Sequence, residues 1–215
     1  MSLGCVPDEL ILIGPGAVVD PTVRLGERTV RSVADLTLRI GEGACIRSGS
    51  VIYAGSTIGM HFNTGHNVVI REENRIGDNV SVWGNSTVDY GCTIGDNVKI
   101  HTCVYVAQFT VIEDDAFLAP GVIVANDPHP GCPRARDCMR GPTISRGARV
   151  GVNVTLLPFI TIGEMALIGA GSVVTKDIPP RALAYGNPAR VVGTVDDLEC
   201  IVDPPLVERP YPSAS

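Results

Sequence analysis

The sequence predicts an all-β protein: a three-sided solenoid of short strands, with one loop thrown out of it and a short C-terminal segment. Three observations predict this. Aliphatic residues recur at every sixth position over most of the chain, the fourth position of each six-residue block is rich in Gly, Asn and Asp, and apolar residues make up 45% of the 215 while aromatics make up 5%. An interior built from Val, Ile, Leu and Ala favours many short strands over a helical bundle, because β-branched side chains suit a pleated surface.

In chain order, residues 1–39 hold one coil's worth of blocks, marked by Ile13, Val19 and Leu25, and then an irregular connection. This segment is expected to cap the first edge strand. From Ile40 the first position of successive blocks runs Ile40, Ile46, Ile52, Ile58, Thr64, Ile70, Ile76, Val82 and on to Val124, aliphatic at fourteen of fifteen sites. Neither a helical period of 3.6 nor strand alternation of 2 confines aliphatics to every sixth site. Fifteen of twenty-one fourth positions carry Gly, Asn or Asp, types that supply 47 of the 215 residues overall. These residues tolerate a left-handed backbone, so each block reads as a short strand followed by a turn with positive φ. Fifth positions such as Ala44, Ser50, Ser86, Val98, Ala148 and Ser172 are small, as an inward corner requires. Three blocks make one triangular coil of eighteen residues, and stacked coils rise by about 4.8 Å.

The count breaks between Val124 and Ile144. Those twenty residues are one block plus fourteen, and fourteen is not a multiple of six. The surplus has to leave the prism as a loop over about 128–142, rooted at the corner after Val124. The count then resumes at Ile144, Val150, Leu156, Ile162, Ile168 and Val174. The array domain is therefore 40–193, and residues 194–215, acidic and then Pro-rich, read as a short helix or capping segment followed by a disordered tail.

A prism filled by its own aliphatics offers no interior pocket, so chemistry has to sit at a corner, in a seam between subunits or under the loop. Loops on a rigid scaffold are where functional residues concentrate. Eighteen-residue steps back from Asn126 place Gln108, Tyr90 and Glu72 beneath it as a polar wall. Around the loop, Arg134, Arg136, Arg140, Arg146 and Arg149 face a single Asp137, a basic patch in a chain of net charge −6 that would draw an anionic ligand. The overall negative charge argues against a nucleic-acid partner. Seven scattered cysteines suggest a reducing compartment, and the N-terminus lacks the basic and apolar regions of a signal peptide. No apolar run approaches a membrane span, so the expectation is a cytoplasmic protein without a membrane partner.

The segments "IGDNV", "IGAGSVVTKDIPP" and "GNPARV" resemble those of the hexapeptide-repeat acyltransferases, and the resemblance covers about residues 40–193. It implies a left-handed parallel β-helix, a homotrimer with active sites in the seams, acetyl-CoA as donor and a sugar or nucleotide-sugar acceptor. Sugar and xenobiotic members carry a histidine general base at the corner where this chain has Asn126 and Asp127, and a histidine arrives only at His129. Two readings stay open: His129 or Asp127 takes a proton from a hydroxyl, or Asn126 orients an amine that needs no strong base. Tyr90, Gln108 and Arg134 are candidate acceptor contacts. His66 is either a turn-flanking residue or an acceptor contact made across the seam. Carried over from the family, the coenzyme would meet Val152, Ala170, Thr175 and Lys176, with Arg190 at its phosphates.

Other classes leave other traces. γ-Class carbonic anhydrases share this fold and bind zinc through histidines five apart, in a stretch resembling "GHNVVIH". Here the residue five beyond His66 is Arg71, which cannot ligate a metal, although His61 and His66 are themselves five apart. No metal is therefore expected. A non-catalytic assembly solenoid would have no use for a basic loop or for Lys176 and Arg190. Cys45 and Cys92 read as small buried hydrophobes, His101 as structural and Trp83 as packing.

Overall fold

The computed structural model describes residues 4–200 and 210–211. Its strands wind as a three-sided, left-handed parallel β-helix in which every face is one continuous sheet. The first sheet has eight strands, from Ile11–Ile13 and Leu38–Ile40 through Thr161–Ile162. The second has ten, from Val18–Val19 and Cys45–Ile46 to Ala189–Thr194. The third has eight, from Arg24–Glu27 and Val51–Tyr53 to Val173–Val174.

Most strands are two residues long, because two residues are what remain of six once the corner is made. The first position of each block points inward, as at Ile52, Ile70, Ile100, Leu156 and Ile168, each fully buried. Pairing keeps the eighteen-residue step, as in Ile58↔Ile76↔Ile94↔Ile112. The next partner of Ile112 is Ile144, so the fourteen surplus residues leave the register of the ladder untouched.

The fourth position of the blocks adopts positive φ even where it is not Gly, Asn or Asp, as at His61, Glu73, Cys103, Phe109, Phe159 and Met165. Stacking between coils imposes the conformation and the residue type only lowers its cost. Asp127 and Asp177 do not adopt it, and they are where the array opens into the loop and where it ends. The small fifth-position residues are buried as expected, and their hydroxyls are satisfied across coils. Ser56 Oγ donates to the carbonyl of Arg71 at 2.7 Å and accepts from Asn74 N at 3.1 Å. Ser86 Oγ does the same with His101 O and Val104 N. A buried hydroxyl without such partners would be costly. In the coil where Thr64 replaces an aliphatic, Phe62 fills the adjoining corner and both are fully buried.

Cys92 is buried as expected, and burial pushes its thiol up to about 12. Cys45, expected to be buried, is half-exposed because it sits at the outward-facing position of its strand. His101 lies between two rings on the outer face of the second sheet, with centroids 6.1 Å from Trp83 and 4.9 Å from Phe117.

The N-terminal coil keeps the six-residue count at Ile13, Val19 and Leu25, whereas the connection after it and the C-terminal end do not. Residues 11–27 pair with 38–53, with a bulge between Leu25 and Glu27, and form a coil beneath the array, and 28–37 make the irregular connection. At the other end the second sheet continues into an antiparallel hairpin, Ala182–Gly186 with Ala189–Thr194, turning at a cis Asn187–Pro188 bond. A short 3-10 turn, Val195–Asp197, follows. Most of the segment expected to be a disordered tail, 201–209 and 212–215, lies outside the described residues. Tyr211 places its ring 4.3 Å from the Arg149 guanidinium. Among the described residues no helix is long and apolar enough to cross a membrane.

Candidate functional site

The loop leaves from the corner between the third and first sheets, after the strand Ile123–Val124, and returns into Thr143–Ile144. Its foot is closed by the backbone: Arg140 N donates to Asn126 O at 2.9 Å. At the return, Gly141 passes so close to the coil below that a Cβ there would lie 2.6 Å from Thr110 Cα. Beyond the foot the loop runs through an Asx turn, His129 N to Asp127 Oδ1 at 2.9 Å, and a one-turn helix, Ala135–Cys138.

Below the loop, side chains of one corner and its adjoining face join into a continuous hydrogen-bonded column. Asn126 Nδ2 donates to Gln108 Oε1 at 2.6 Å and to Gln108 O at 3.4 Å. Gln108 Nε2 donates to Asp89 Oδ2 at 2.6 Å, and the Tyr105 hydroxyl donates to the same oxygen at 2.9 Å. The other oxygen of Asp89 accepts from Tyr90 N at 2.8 Å and faces Arg71 at 3.5 Å. Arg71 chelates Glu72 at 2.8 and 3.0 Å, and Arg31, on the N-terminal connection, reaches Glu72 and Glu73 at 3.0 Å each. Asn126, Asp89 and Glu72 are all buried.

Burial is the largest influence on the Glu72 carboxyl and pushes its pKa up. Hydrogen bonds from Arg71, from its own backbone N–H and from Arg31 outweigh it, so the carboxyl stays below its ordinary value. Burial first, and then donation to Asp89, push the Tyr105 hydroxyl up to about 12. It therefore keeps its proton and remains a donor at neutral pH.

The wall inferred from eighteen-residue steps is present in altered form. Gln108 touches Asn126 directly and Glu72 anchors the foot. Tyr90 turns aside, with its ring edge-on to Phe109 at a centroid distance of 5.4 Å and under the Arg31 guanidinium at 3.6 Å. Asp89, Tyr105 and Arg31, which complete the column, are residues that sequence reasoning passed over, and Arg71 entered it only as a residue unable to ligate a metal. A signal for Asp89 existed: it follows an inward aliphatic at a position where the coils above carry Ala107 and Ala125.

The basic patch is a correction. Arg146 and Arg149 belong to the next corner and the second sheet, where Arg146 pairs with Asp114 at 3.2 Å and Arg149 lies against Tyr211. Re-entry of the chain into the array carries them away from the loop. Arg134 is exposed and paired with Asp137 at 3.1 Å, leaving Arg136 and Arg140 as the loop's other cations. His129 is exposed.

His66 stands at the corner between the second and third sheets, one edge away from Asn126, with Nδ1 2.7 Å from Ser48 Oγ. His61 is at the preceding corner, so within one chain these two histidines do not converge. Among the described residues no group of three or more His, Cys, Asp or Glu is placed to hold a metal. Val152 and Ala170 are exposed on the His66 edge, higher up the prism. Thr175 is exposed at the end of the third sheet, and Lys176 is exposed on the Asn126 edge, two coils above it or about 10 Å. Arg190 lies on the last strand of the hairpin, paired opposite Tyr185.

Residues 75–108 match the model of the bacterial transferase hexapeptide, in six repeats. That stretch holds Asp89, Tyr90 and Gln108 and stops short of the loop. A Staphylococcus aureus (strain MRSA252) protein provisionally named an acetyltransferase is 41% identical over 128 residues, 56% of this chain and 64% of that protein. The galactoside O-acetyltransferase of Escherichia coli (strain K12) is 35% identical over 125 residues, 56% of this chain and 57% of that protein. The chain thus spans less than two thirds of the length of either relative. Among solved structures, the polySia specific acetyltransferase NeuO superposes with a TM-score of 0.53 at 21% identity, over 86% of this chain and 85% of that one, a likeness of fold.

Proposed function

We propose that this chain, which carries hexapeptide repeats and resembles proteins with acetyltransferase names, transfers an acetyl group from acetyl-CoA to a sugar or nucleotide-linked sugar at the Asn126 corner. The observation that carries the proposal is the placement of Asn126. It is a buried carboxamide held by Gln108 from below and by the closed foot of the loop from above, where the longest interruption of the array begins. A rigid polar group at the root of a protruding loop suits the orientation of an acceptor.

Asn126 takes a hydrogen bond from the attacking amine or, when the nucleophile is a hydroxyl, from a neighbouring N–H or O–H of the sugar, while the nucleophile's lone pair meets the thioester carbonyl. For a hydroxyl, His129 or Asp127 removes the proton, and for a neutral amine no strong base is needed before attack; in both cases the C–S bond breaks and the proton ends on the departing coenzyme A thiolate. Gln108 lines the approach from below, with Tyr90 set back against Phe109 and Arg31, Arg134 lies on the loop above, and His66 joins from a neighbouring subunit in a trimer. The coenzyme runs along the upper coils past Val152, Ala170, Thr175 and Lys176, with Arg190 at its phosphates. Ala170 and the adjoining exposed Gly171 let a thin ligand approach the backbone, and the cations give charge-assisted bonds to phosphate. A cytoplasmic site would supply acetyl-CoA.

The test is release of free thiol from acetyl-CoA across a panel of free and nucleotide-linked amino sugars and their hydroxyl counterparts. Asn126→Ala is expected to lower turnover roughly 100-fold with either acceptor class. His129→Ala should cost about 100-fold or more with a hydroxyl acceptor and only a few-fold with an amine. If no member of the panel releases thiol and acetyl-CoA fails to raise the Tm, the transferase reading is wrong and a non-catalytic solenoid takes its place.

A further inference from the structure

The column beneath Asn126 is directional. The Asp89 carboxylate can only accept hydrogen bonds. Its Oδ1 is taken by Tyr90 N and faces Arg71, and its Oδ2 is taken by Tyr105 and Gln108. Gln108 must therefore turn its NH2 toward Asp89, which leaves its carbonyl oxygen for Asn126. Asn126 must in turn point its own NH2 back at Gln108 Oε1 and Gln108 O. Its Oδ1 has no partner among the described residues, and it is not among the buried polar atoms left unpaired. The oxygen thus keeps some contact with solvent at the foot of the loop, although the residue as a whole is buried.

We propose that Asp89 is a positioning residue that acts through Gln108 to fix the polarity of Asn126, so that the site presents a hydrogen-bond acceptor and admits an acceptor substrate arriving with an N–H or O–H. This rests on the transferase reading for its consequence in catalysis, and on the hydrogen-bond geometry alone for the orientation of Asn126. A group arriving with a carboxylate or carbonyl oxygen meets another oxygen there and is turned away.

The geometry supplies its own test. In Asp89→Asn, Tyr90 N and Arg71 hold the amide oxygen on their side, so an NH2 faces Gln108. Gln108 then reverses, Asn126 reverses after it, and the site shows a donor where it had an acceptor. Adding Gln108→Glu repairs the direction: the carboxylate it introduces accepts from the new amide at position 89 on one side and from Asn126 on the other, with the same total charge as the original pair. Two readouts are taken together, solvent exchange of the Asn126 side-chain NH2 by NMR and kcat/KM for the acceptor.

The expected pattern is a protected NH2 in the original protein, an exposed one in Asp89→Asn and a protected one again in the double variant. Acceptor kcat/KM should fall roughly 10-fold to 100-fold and then recover, while the KM for acetyl-CoA stays unchanged. Gln108→Leu, which cuts the column without touching the ion-paired wall, should give the same loss whether or not Asp89→Asn accompanies it. Unchanged exchange across the variants, or a double variant no better than the single one, overturns the relay. If thiol release is absent throughout, the transferase reading fails, and the exchange pattern still decides the orientation.

Discussion

Cys103 sits at a corner with φ 60°, in the left-handed region that a residue with a Cβ enters only at a cost, and its N–H is already spent on Gly84 O at 3.1 Å. One coil below, Asn85 holds the same conformation, and its side-chain oxygen accepts from Asn67 at 3.3 Å, the start of an asparagine ladder that lapses at Cys103. Asn enters the left-handed region at lower cost than Cys and would extend the ladder. Cys103→Asn is therefore expected to stabilise the fold by about 0.5–1 kcal/mol, a rise in Tm of a few degrees for a chain of this size. Cys103→Val, β-branched at the same angle, should lower it by at least as much. Thermal melts of the two variants check the claim, and equal melting points would show that backbone strain at the corners is not borne residue by residue.

At the scale of elements, the loop depends on how its return strand is threaded. Gly141 runs against the coil below at a distance a Cβ cannot share, 2.6 Å from Thr110 Cα, and the neighbouring Arg140 N–H closes the foot on Asn126. Gly141→Ala should thus displace the return, open that bond and cost about 1–3 kcal/mol; under the transferase activity proposed above, acceptor KM should rise several-fold more than the KM for acetyl-CoA. Gly131, at the loop tip with φ 84° and open space where its Cβ would go, serves as the control. Gly131→Ala should cost only about 1 kcal/mol and spare the acceptor KM. Steady-state kinetics with urea titrations separate the two. The existence and root of this loop were legible in the sequence because six residues per face make an aliphatic count in which fourteen extra residues cannot hide. Its neighbours were less legible. Asp89 and Tyr105 meet diagonally across coils, sixteen residues apart, so a search in steps of eighteen finds Gln108 and misses both. Arg146 and Arg149 read as part of the loop's charge because sequence proximity cannot show that the chain has already turned the next corner. The closing hairpin was hidden for a different reason: Ala182–Thr194 abandons the six-residue count, and the turn at Asn187–Pro188 carries no aliphatic marker.

Over the whole molecule, a solenoid touches itself only between adjacent coils, so its stability is close to a sum of neighbouring terms and its ends are the weak points. The Arg31 connection departs from this pattern. It crosses the outside of the prism to reach Glu72, 41 residues further on, and fastens the first coil to the base of the polar column. Glu72 has no exposed side-chain surface and is held by two guanidinium groups, so its carboxyl ionises more readily in the folded chain than in the unfolded one. As pH falls through the unfolded-state value near 4.5, the unfolded chain takes up the proton first. Stability therefore declines as the pH drops, is lost down through the lower folded-state value, and is fully present above pH 4.5 or so. Glu72→Gln removes the charge while keeping the shape, leaving Arg71 and Arg31 facing a neutral amide. It should cost roughly 3 kcal/mol at pH 7, in the range for breaking a buried ion pair. The variant should also flatten the acid limb, so that its deficit against the original protein shrinks between pH 5 and pH 3. Urea unfolding of both proteins across that range measures the difference directly. A deficit that stays constant with pH would mean that the ionised Glu72 gains nothing from Arg71 and Arg31, leaving strand pairing and the Arg31–Glu73 pair to join the end of the prism to its middle.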